Sequence, residues 1–160
     1  MAGHMRLHCM YMNSSGDAMD DMKNKPDAYW KGKLTPDQYR VMRAKGTEAP
    51  GSGVHVDNYD AGMYRCAGCG QELFSSDTKF ESMVPGLVGW PAFYAEAEKG
   101  HVELHEDKLF GMRRTEITCA RCGAHLGHLF EGDPAVSDKG GKHYCVNSCA
   151  LDFVPEKKQP

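Results

Sequence analysis

The chain has 160 residues, 7 cysteines and a formal net charge of −3, and this length fits one domain with a buried core. Leu, Ile, Val and Phe supply only 25 residues, about 16% of the chain, below the rough 20% floor for globular domains. The low net charge argues against disorder and against nucleic acid or an anionic membrane as partner, and no apolar stretch reaches the length of a membrane-spanning helix.

Residues 1–26 show no sustained apolar period, so we predict a flexible arm that carries one thiol, Cys9. Its opening, residues 1–5, has the character of a cloning remnant. No apolar segment of secretory type follows Arg6, although a leader already removed would leave no trace in this sequence. Because the other cysteines are spaced as metal ligands rather than as a disulfide framework, we expect a reducing, cytoplasmic location.

The segment Thr35-Pro36-Asp37-Gln38 predicts the start of a helix. Thr35 is the expected N-cap, Pro36 suits the first helical position, and Gln38 completes a capping box. The helix is expected to run to Lys45 and to end at Gly46. Residues 47–62 are rich in Gly, Pro, Asp and Asn, which predicts a long loop.

Beyond this loop, short runs separated by turn residues predict β-strands. The six runs are Met63–Arg65, Glu72–Phe74, Val102–His105, Gly111–Thr118, Tyr144–Val146 and Ala150–Val154. Their spacing predicts a small antiparallel β-barrel or sandwich rather than βαβ units, with one or two helical turns over Ala92–Lys99. No linker interrupts residues 27–154, so we expect one domain there and a short tail over residues 155–160.

Two Cys-x-x-Cys pairs predict a metal site: Cys66, Cys69, Cys119 and Cys122. Each spacing allows a tight turn to aim two thiolates at one ion, and a glycine follows each pair. The 49 residues between the pairs exceed the roughly 15–20 of a zinc ribbon. Four thiolates form a closed tetrahedral shell, so we predict one structural zinc ion per chain. The alternatives are unrelated thiols or two redox pairs, although thioredoxin-type motifs need a βαβ context that is missing here.

Three thiols remain, Cys9, Cys145 and Cys149. A free thiol is only a few per cent ionised at pH 7, so a nucleophilic cysteine needs an activating neighbour. Lys142 and His143 are close to Cys145 in sequence. Taken alone, however, Cys145 fits a small buried apolar residue better than a nucleophile.

From residue 27 to residue 154 the chain resembles the B-type methionine sulfoxide reductases, which reduce the R epimer of methionine sulfoxide. The most specific matches are Gly89-Trp90-Pro91, His125-Leu126-Gly127-His128 and Tyr144-Cys145-x-Asn147-Ser148. Less specific segments occur in the family's order, namely Leu34-Thr35-Pro36-x-Gln38-Tyr39, Gly46-Thr47-Glu48, both Cys-x-x-Cys pairs, Leu73–Phe80 and Arg114-x-Glu116. The resemblance implies a mainly β fold, a small two-sheet antiparallel barrel of the Mss4-like or β-tent type. A few short helices and a structural zinc remote from a thiol active site would complete it.

The resemblance also implies the chemistry. Cys145 would attack the sulfoxide sulfur as a thiolate, release methionine and remain as a sulfenic acid. His125 and His128 would donate a proton to the sulfoxide oxygen. Since an offset of three places them on opposite faces of a regular strand, a bend at Gly127 would be needed to bring both to the site. Asn147 would share a strand face with Cys145 and orient the substrate or a histidine.

Trp90 would pack against the polarised methyl group of the substrate, the alternative being a core indole. Phe130 and His143 complete the expected substrate-binding set. The chain departs from the family's pattern at His143, where an arginine is usual, and at Val88, where many members have a resolving cysteine. The segment Glu81–Gly89 is also about four residues longer than usual.

The absence of a cysteine at position 88 leaves open which thiol resolves the sulfenic acid. If the chain is extended, Cys149 lies about 13 Å from Cys145, whereas a disulfide needs Cα atoms within about 7 Å. We therefore predict that Cys9 or an external thiol resolves it, with Cys149 less favoured. A thioredoxin-like reductant and a monomeric enzyme are the family expectations.

Two other functions remain open from the sequence. A non-catalytic zinc-binding β-fold that binds proteins or acts as a chaperone would give Cys145, Trp90 and His128 no special role. Nucleic-acid binding through a zinc ribbon would need clustered basic residues, and the chain has only two short pairs, Arg113-Arg114 and Lys157-Lys158.

Overall fold

A computed structural model of the protein describes residues 22–157. Cys9, the predicted arm up to residue 21 and the last three residues therefore lie outside the described residues. Within residues 22–157, no helix combines the length and the apolar character that crossing a bilayer requires.

Two short helices precede the sheets. Helix α1 covers Asp27–Lys33 and α2 covers Pro36–Met42. Helix α1 was not predicted from the sequence. The predicted capping box is confirmed, because the Thr35 side chain accepts from Gln38 N while the Gln38 side chain accepts from Thr35 N. The predicted end at Lys45 was wrong: α2 ends at Met42, and Lys45 takes a left-handed φ of 57° while Gly46 N–H donates to the Arg40 carbonyl.

The described residues contain nine strands. They are β1 Gly62–Cys66, β2 Glu72–Ser75, β3 Lys79–Phe80, β4 Ala92–Phe93, β5 Val102–Asp107, β6 Arg114–Cys119, β7 His125–Phe130, β8 His143–Val146 and β9 Leu151–Pro155. All paired neighbours are antiparallel. They form a three-stranded sheet in the order β2-β1-β9 and a six-stranded sheet in the order β3-β4-β8-β7-β6-β5. The predicted two-sheet, mainly β architecture is confirmed.

Several predicted boundaries need correction. The expected helical turns over Ala92–Lys99 were wrong, because Ala92–Phe93 is a strand paired with both β3 and β8. The run that was expected to begin at Gly111 starts as β6 only at Arg114, after a 3₁₀ turn over Leu109–Gly111. Strand β7 was not predicted, because its glycine and two histidines do not resemble a typical strand composition.

Aromatic side chains fill much of the core that the scarce aliphatic residues leave. Trp30, Tyr64, Phe74 and Phe93 are almost fully buried. Phe74 stacks on Phe93 with ring centroids 4.6 Å apart, and Tyr64 meets Phe93 edge-on at 5.1 Å. Such pairs add to the burial of large ring areas, so a core with few aliphatic residues still holds the two sheets together.

Candidate active site and metal centre

The two Cys-x-x-Cys turns converge at the ends of β1 and β6. Cys66 Sγ lies 3.6 Å from Cys122 Sγ and Cys69 Sγ lies 3.5 Å from Cys119 Sγ, and all four sulfurs lie within 4.8 Å of one another. Tetrahedral zinc with Zn–S bonds of about 2.3 Å places its sulfurs about 3.8 Å apart. The four thiols therefore have the spacing of a tetrahedral metal shell and could bind a metal ion.

Cys145 lies in a cavity of about 100 Å³ on the six-stranded sheet. Eleven residues from five parts of the chain line this cavity: Thr47, Gly86, Leu87, Trp90, Arg114, Gly127, His128, Phe130, Cys145, Val146 and Asn147. Four of the expected site residues, Trp90, His128, Phe130 and Asn147, thus meet Cys145 in one place.

The register of β7 and β8 explains how His128 reaches Cys145. His128 is the direct cross-strand partner of Cys145, and Gly127 is the partner of Val146. Directly opposed residues project to the same face of a sheet, so imidazole and thiol share one face. A side chain at position 127 is sterically blocked, because a Cβ there would lie 1.9 Å from the Cys145 carbonyl oxygen. The glycine therefore permits the close approach of the two strands.

A β-bulge brings His125 to the same face as His128. Thr118 pairs with His125 and Ile117 pairs with Gly127, so β7 carries one extra residue opposite β6. The two imidazole centroids are 5.4 Å apart. His125, however, lines a different cavity of about 490 Å³, where its Nδ1 hydrogen-bonds Glu116 Oε2 at 2.6 Å. The predicted bend is present, yet only His128 lines the Cys145 cavity.

An acidic residue fixes the orientation of His128. His128 Nε2 lies 2.9 Å from Asp107 Oδ2. Because an ionised carboxylate only accepts, Nε2 carries the proton and Nδ1 is the basic atom of the ring. Hydrogen bonding from Leu109 N–H and then from His128 lowers the pKa of Asp107. Arg114 approaches the same carboxylate at 3.6 Å and brings a cation to the cavity.

The thiol of Cys145 is partly buried, and this burial, together with the Glu48 carboxylate, raises its pKa to about 12. The resting thiol is therefore protonated at neutral pH, and any nucleophilic role of Cys145 would require a base to take its proton. Among the residues that line the cavity, His128 is the one histidine, and imidazole is the side chain that most often accepts a proton in such a step.

Glu48 forms hydrogen bonds to three parts of the site: Asn147, Trp90 and the turn that follows Cys145. Its carboxylate accepts from the backbone N–H groups of Ser148 and Cys149, just beyond Cys145. Its own N–H donates to Asn147 Oδ1 at 3.0 Å, and its carbonyl accepts from Trp90 Nε1 at 3.1 Å. The indole that forms one wall is thereby held to the same loop residue as the turn that follows the thiol.

The side chains of Asn147 and His143 both form hydrogen bonds within the protein. The Asn147 amide is used within the protein, since Nδ2 donates to the Leu126 carbonyl at 3.0 Å while Oδ1 accepts from Glu48. His143 is fully buried and does not line the Cys145 cavity. Its Nδ1 bonds Asp133 Oδ2 at 2.9 Å, and its ring packs edge-on against Phe130. Burial lowers the pKa of His143, so it does not replace the cation of the family's arginine.

The chain turns soon after Cys145. Strand β8 ends at Val146, and Ser148–Ala150 form a 3₁₀ turn. The separation of about 13 Å expected for an extended chain was therefore an overestimate. Cys149 nevertheless opens into another cavity, of about 400 Å³, which Arg40 and Glu48 also line. Burial first and Glu48 second raise the pKa of Cys149 to about 12.

Sequence reasoning missed four residues as parts of the site: Glu48, Asp107, Arg114 and Glu116. Three of them lie in segments that match the family's pattern, Thr47-Glu48 and Arg114-x-Glu116, so the sequence already contained a signal for these three residues. Asp107 stood in no such segment, and only the pairing of β5 with β6, opposite Arg114, places it beside the site.

This chain is similar to several known proteins. The family described as "SelR domain" matches residues 34–155, a range that contains the four metal-centre cysteines and every residue lining the Cys145 cavity. Peptide methionine sulfoxide reductase MsrB of Methanosarcina mazei is 51% identical over 133 residues, 83% of this chain and 90% of that protein. The proteins of the same name from Methanosarcina barkeri (52%, covering 84% and 89%) and Leptospira interrogans (49%, covering 83% and 96%) are similar to the same extent. Among solved structures, the Mis18 "Yippee-like" domain is similar with a TM-score of 0.47 and 16% identity, over 61% of this chain and 99% of that one.

Proposed function

This chain belongs to the SelR-domain family and is a B-type peptide-methionine (R)-S-oxide reductase, and on that premise we propose that Cys145 is its nucleophile. The observation that carries the assignment is the cross-strand pairing of Cys145 with His128 inside a cavity walled by Trp90. In the described residues, Cys149 is the other thiol outside the metal centre, and it lies in a cavity without a histidine.

The reaction transfers one oxygen atom and two electrons. The sulfur of Cys145 bonds to the sulfoxide sulfur. The S–O bond of the substrate and the new S–S bond then break as the oxygen bonds to the sulfur of Cys145, which leaves methionine and a sulfenic acid on Cys145. Methionine sulfur is reduced and cysteine sulfur is oxidised. The proton lost by the thiol ends on the transferred oxygen, so the step needs no other proton source.

His128 moves that proton. Since the resting Cys145 thiol is protonated, the neutral imidazole takes the proton at Nδ1 as the sulfur attacks and delivers it to the sulfoxide oxygen. Asp107 holds the required tautomer through Nε2. As His128 becomes an imidazolium, the Asp107 carboxylate stabilises the new charge.

His125 acts through His128 rather than on the substrate. Its Nδ1–H is committed to Glu116, and burial lowers its pKa, so it remains neutral at pH 7. Its ring packs at 67° to the ring of His128, which restricts the rotation of that imidazole. We assign Asn147 a similar positioning role, because its amide fastens the Glu48 loop to β7.

Trp90 and Phe130 form the aromatic walls for the methyl-sulfoxide end of the substrate. The polarised methyl group is attracted by an indole face in the way a weak cation is. His143 supports Phe130 from within the core through the edge-on contact of the two rings.

The four-cysteine centre holds zinc, because Cys₄ shells with this sulfur spacing suit that ion. A complete thiolate shell leaves no open position, so the metal stabilises the fold and takes no part in sulfoxide reduction. The catalytic domain spans residues 27–154.

A second thiol returns Cys145 to its reduced state. The sulfenic acid condenses with that thiol to a disulfide and water, and a further thiol reduces the disulfide. An external, thioredoxin-like dithiol or Cys9, which lies outside the described residues, is the resolving group. This chemistry requires a reducing location such as the cytoplasm, and a single chain holds the complete cavity, so we expect a monomer to be active.

The test compares the wild-type protein with Cys145→Ser and Cys149→Ser on methionine-R-sulfoxide, with dithiothreitol as reductant. We expect no turnover in Cys145→Ser and near-wild-type turnover in Cys149→Ser. After one turnover without reductant, mass spectrometry should find one added oxygen on Cys145 or a disulfide that includes it. Equal activity of wild type and Cys145→Ser would refute the nucleophile assignment.

A further inference from the structure

A second cavity lies beside the Cys145 cavity, and the reaction described above makes no use of it. It measures about 110 Å³. Apolar and aromatic residues form most of its lining, among them Val56, Tyr59, Phe80 and Ala92. Because apolar surroundings favour hydrocarbon over polar groups, this space suits an alkyl chain.

Two residues, Leu87 and Trp90, line both cavities and therefore lie between them. Trp90 is held in place because its Nε1 donates to the Glu48 carbonyl at 3.1 Å. Leu87 is half-buried, and its N–H donates to the Val84 carbonyl at 3.0 Å, which closes a turn. We call Leu87 and Trp90 the partition between the two cavities.

The loop that carries Leu87 is fastened at both ends. Near its start, the Ser82 hydroxyl donates to the buried Asp133 carboxylate at 2.6 Å. At its end, the Gly89 carbonyl accepts from Gly51 N–H at 2.8 Å. Hydrogen bonds at both ends of the loop thus hold Leu87 at the partition.

Resting on the proposed function of Cys145, we propose that Leu87 determines the size of the alkyl group on the substrate sulfur and limits the enzyme to methyl sulfoxides. The indole of Trp90 attracts the polarised methyl group, which places that group against the wall that Leu87 completes. A longer alkyl group reaches the second cavity only through the space that the Leu87 side chain occupies. Leu87→Ala removes three carbon atoms from the partition and opens the second cavity to an ethyl or propyl group.

The test measures kcat/KM for three R-sulfoxides with dithiothreitol as reductant. The substrates are those of methionine, ethionine and S-propylhomocysteine, which carry a methyl, an ethyl and a propyl group on sulfur. One extra methylene that a pocket cannot accept costs about tenfold or more in kcat/KM, so we expect the wild type to prefer the methyl substrate by at least that factor. In Leu87→Ala, kcat/KM for the ethyl and propyl substrates should rise to within about threefold of the methyl substrate.

Two further variants make the test specific. Leu87→Val opens the partition by one methylene, so it should accept the ethyl substrate and still reject the propyl substrate. Val88→Ala is the matched control, because Val88 is the next residue of the same loop and lines the second cavity but not the Cys145 cavity. It should keep the wild-type preference. The expected result is a gain of activity on larger substrates, which a loss of folded protein cannot imitate.

A wild type that reduces the ethyl and methyl substrates equally well would overturn the proposal. So would an active Leu87→Ala that keeps the wild-type preference, or a Val88→Ala that relaxes the preference to the same extent. If Leu87→Ala reduces none of the three substrates, the ratio of ethyl to methyl turnover in Leu87→Val decides in the same way. A wild type without turnover of methionine-R-sulfoxide would instead refute the proposed function.

Discussion

Gly127→Ala is expected to disable the reductase by separating strands β7 and β8. A Cβ at position 127 would lie 1.9 Å from the Cys145 carbonyl oxygen and 3.1 Å from Val146 Cα. Both contacts are to backbone, so no side chain can rotate away. Restoring even a tight 3.0 Å contact requires the backbone of Cys145 to retreat by about 1 Å, which carries the thiol away from His128 and Trp90.

A displacement of about 1 Å in a positioned nucleophile costs on the order of 100-fold in rate. We therefore expect kcat/KM to fall about 100-fold with dithiothreitol as reductant. Overpacking of this kind costs about 1–3 kcal/mol of unfolding free energy, which lowers Tm by roughly 3–10 °C in a chain of this size. Thermal unfolding and steady-state kinetics on the same preparation measure both effects.

The matched control is Gly32→Ala in α1, where an added Cβ meets nothing within 4 Å. Replacing a helical glycine by alanine stabilises by about 0.5–1 kcal/mol, so Tm should rise slightly and kcat/KM should not change. If Gly127→Ala matches the wild type in both Tm and kcat/KM, the strand register that brings Cys145 to His128 is not the basis of the site.

Three further changes probe the other parts of the site. Cys66→Ser should reduce bound zinc well below one ion per chain, as measured by mass spectrometry of the metal. It should also lower Tm by more than about 10 °C, because metal binding contributes to folding free energy. Full zinc content in this variant would contradict the four-cysteine centre. Glu48→Gln removes the negative charge that helps to raise the pKa of Cys145, so iodoacetamide at pH 8 should alkylate Cys145 several-fold faster; an unchanged or slower rate would refute this electrostatic role. Asp107→Asn should lower kcat/KM about 10- to 100-fold by releasing the His128 tautomer. Because the pKa of Asp107 is lowered in the folded state, its stabilisation is complete above about pH 4 and is lost as pH falls further, so the unfolding free energy of Asp107→Asn should depend less on pH in that range.

Local signals in the sequence were sufficient for the elements with their own capping or turn chemistry. The Thr35 capping box set the start of α2, and five of the predicted β-runs match strands within one or two residues. Local signals failed where tertiary contacts decide the outcome. Strands β3 and β4 have only two residues each and exist through pairing with each other and, for β4, with β8. Strand β7 forms around a glycine that its neighbour strand requires.

In the candidate site, too, local motifs were sufficient for some residues and tertiary contacts decided the rest. The sequence identified Cys145, His128 and Trp90 through specific motifs, and the structure brings them into one cavity. It could not show which of two histidines faces the thiol, because the β-bulge that decides this depends on pairing between β6 and β7. Nor could it show that His143 is buried beside Phe130, its cross-strand partner, and does not line the cavity, although it shares a sheet face with Cys145.

Two features of the backbone determine which thiol can reach a sulfenic acid on Cys145, and neither follows from the spacing of residues in the sequence. Val88, at the family's resolving position, is 52% exposed and lines a neighbouring cavity rather than the one that holds Cys145. In the longer loop, Leu87 occupies the cavity wall instead. Cys149 is closer to Cys145 than an extended chain would allow, yet the backbone N–H groups at the start of its turn are fastened to Glu48. A disulfide between Cys145 and Cys149 therefore requires this turn to detach from Glu48. Glu48→Gln should consequently raise the yield of that disulfide after one turnover without reductant, whereas an external thiol should resolve the wild type with no dependence on Cys149.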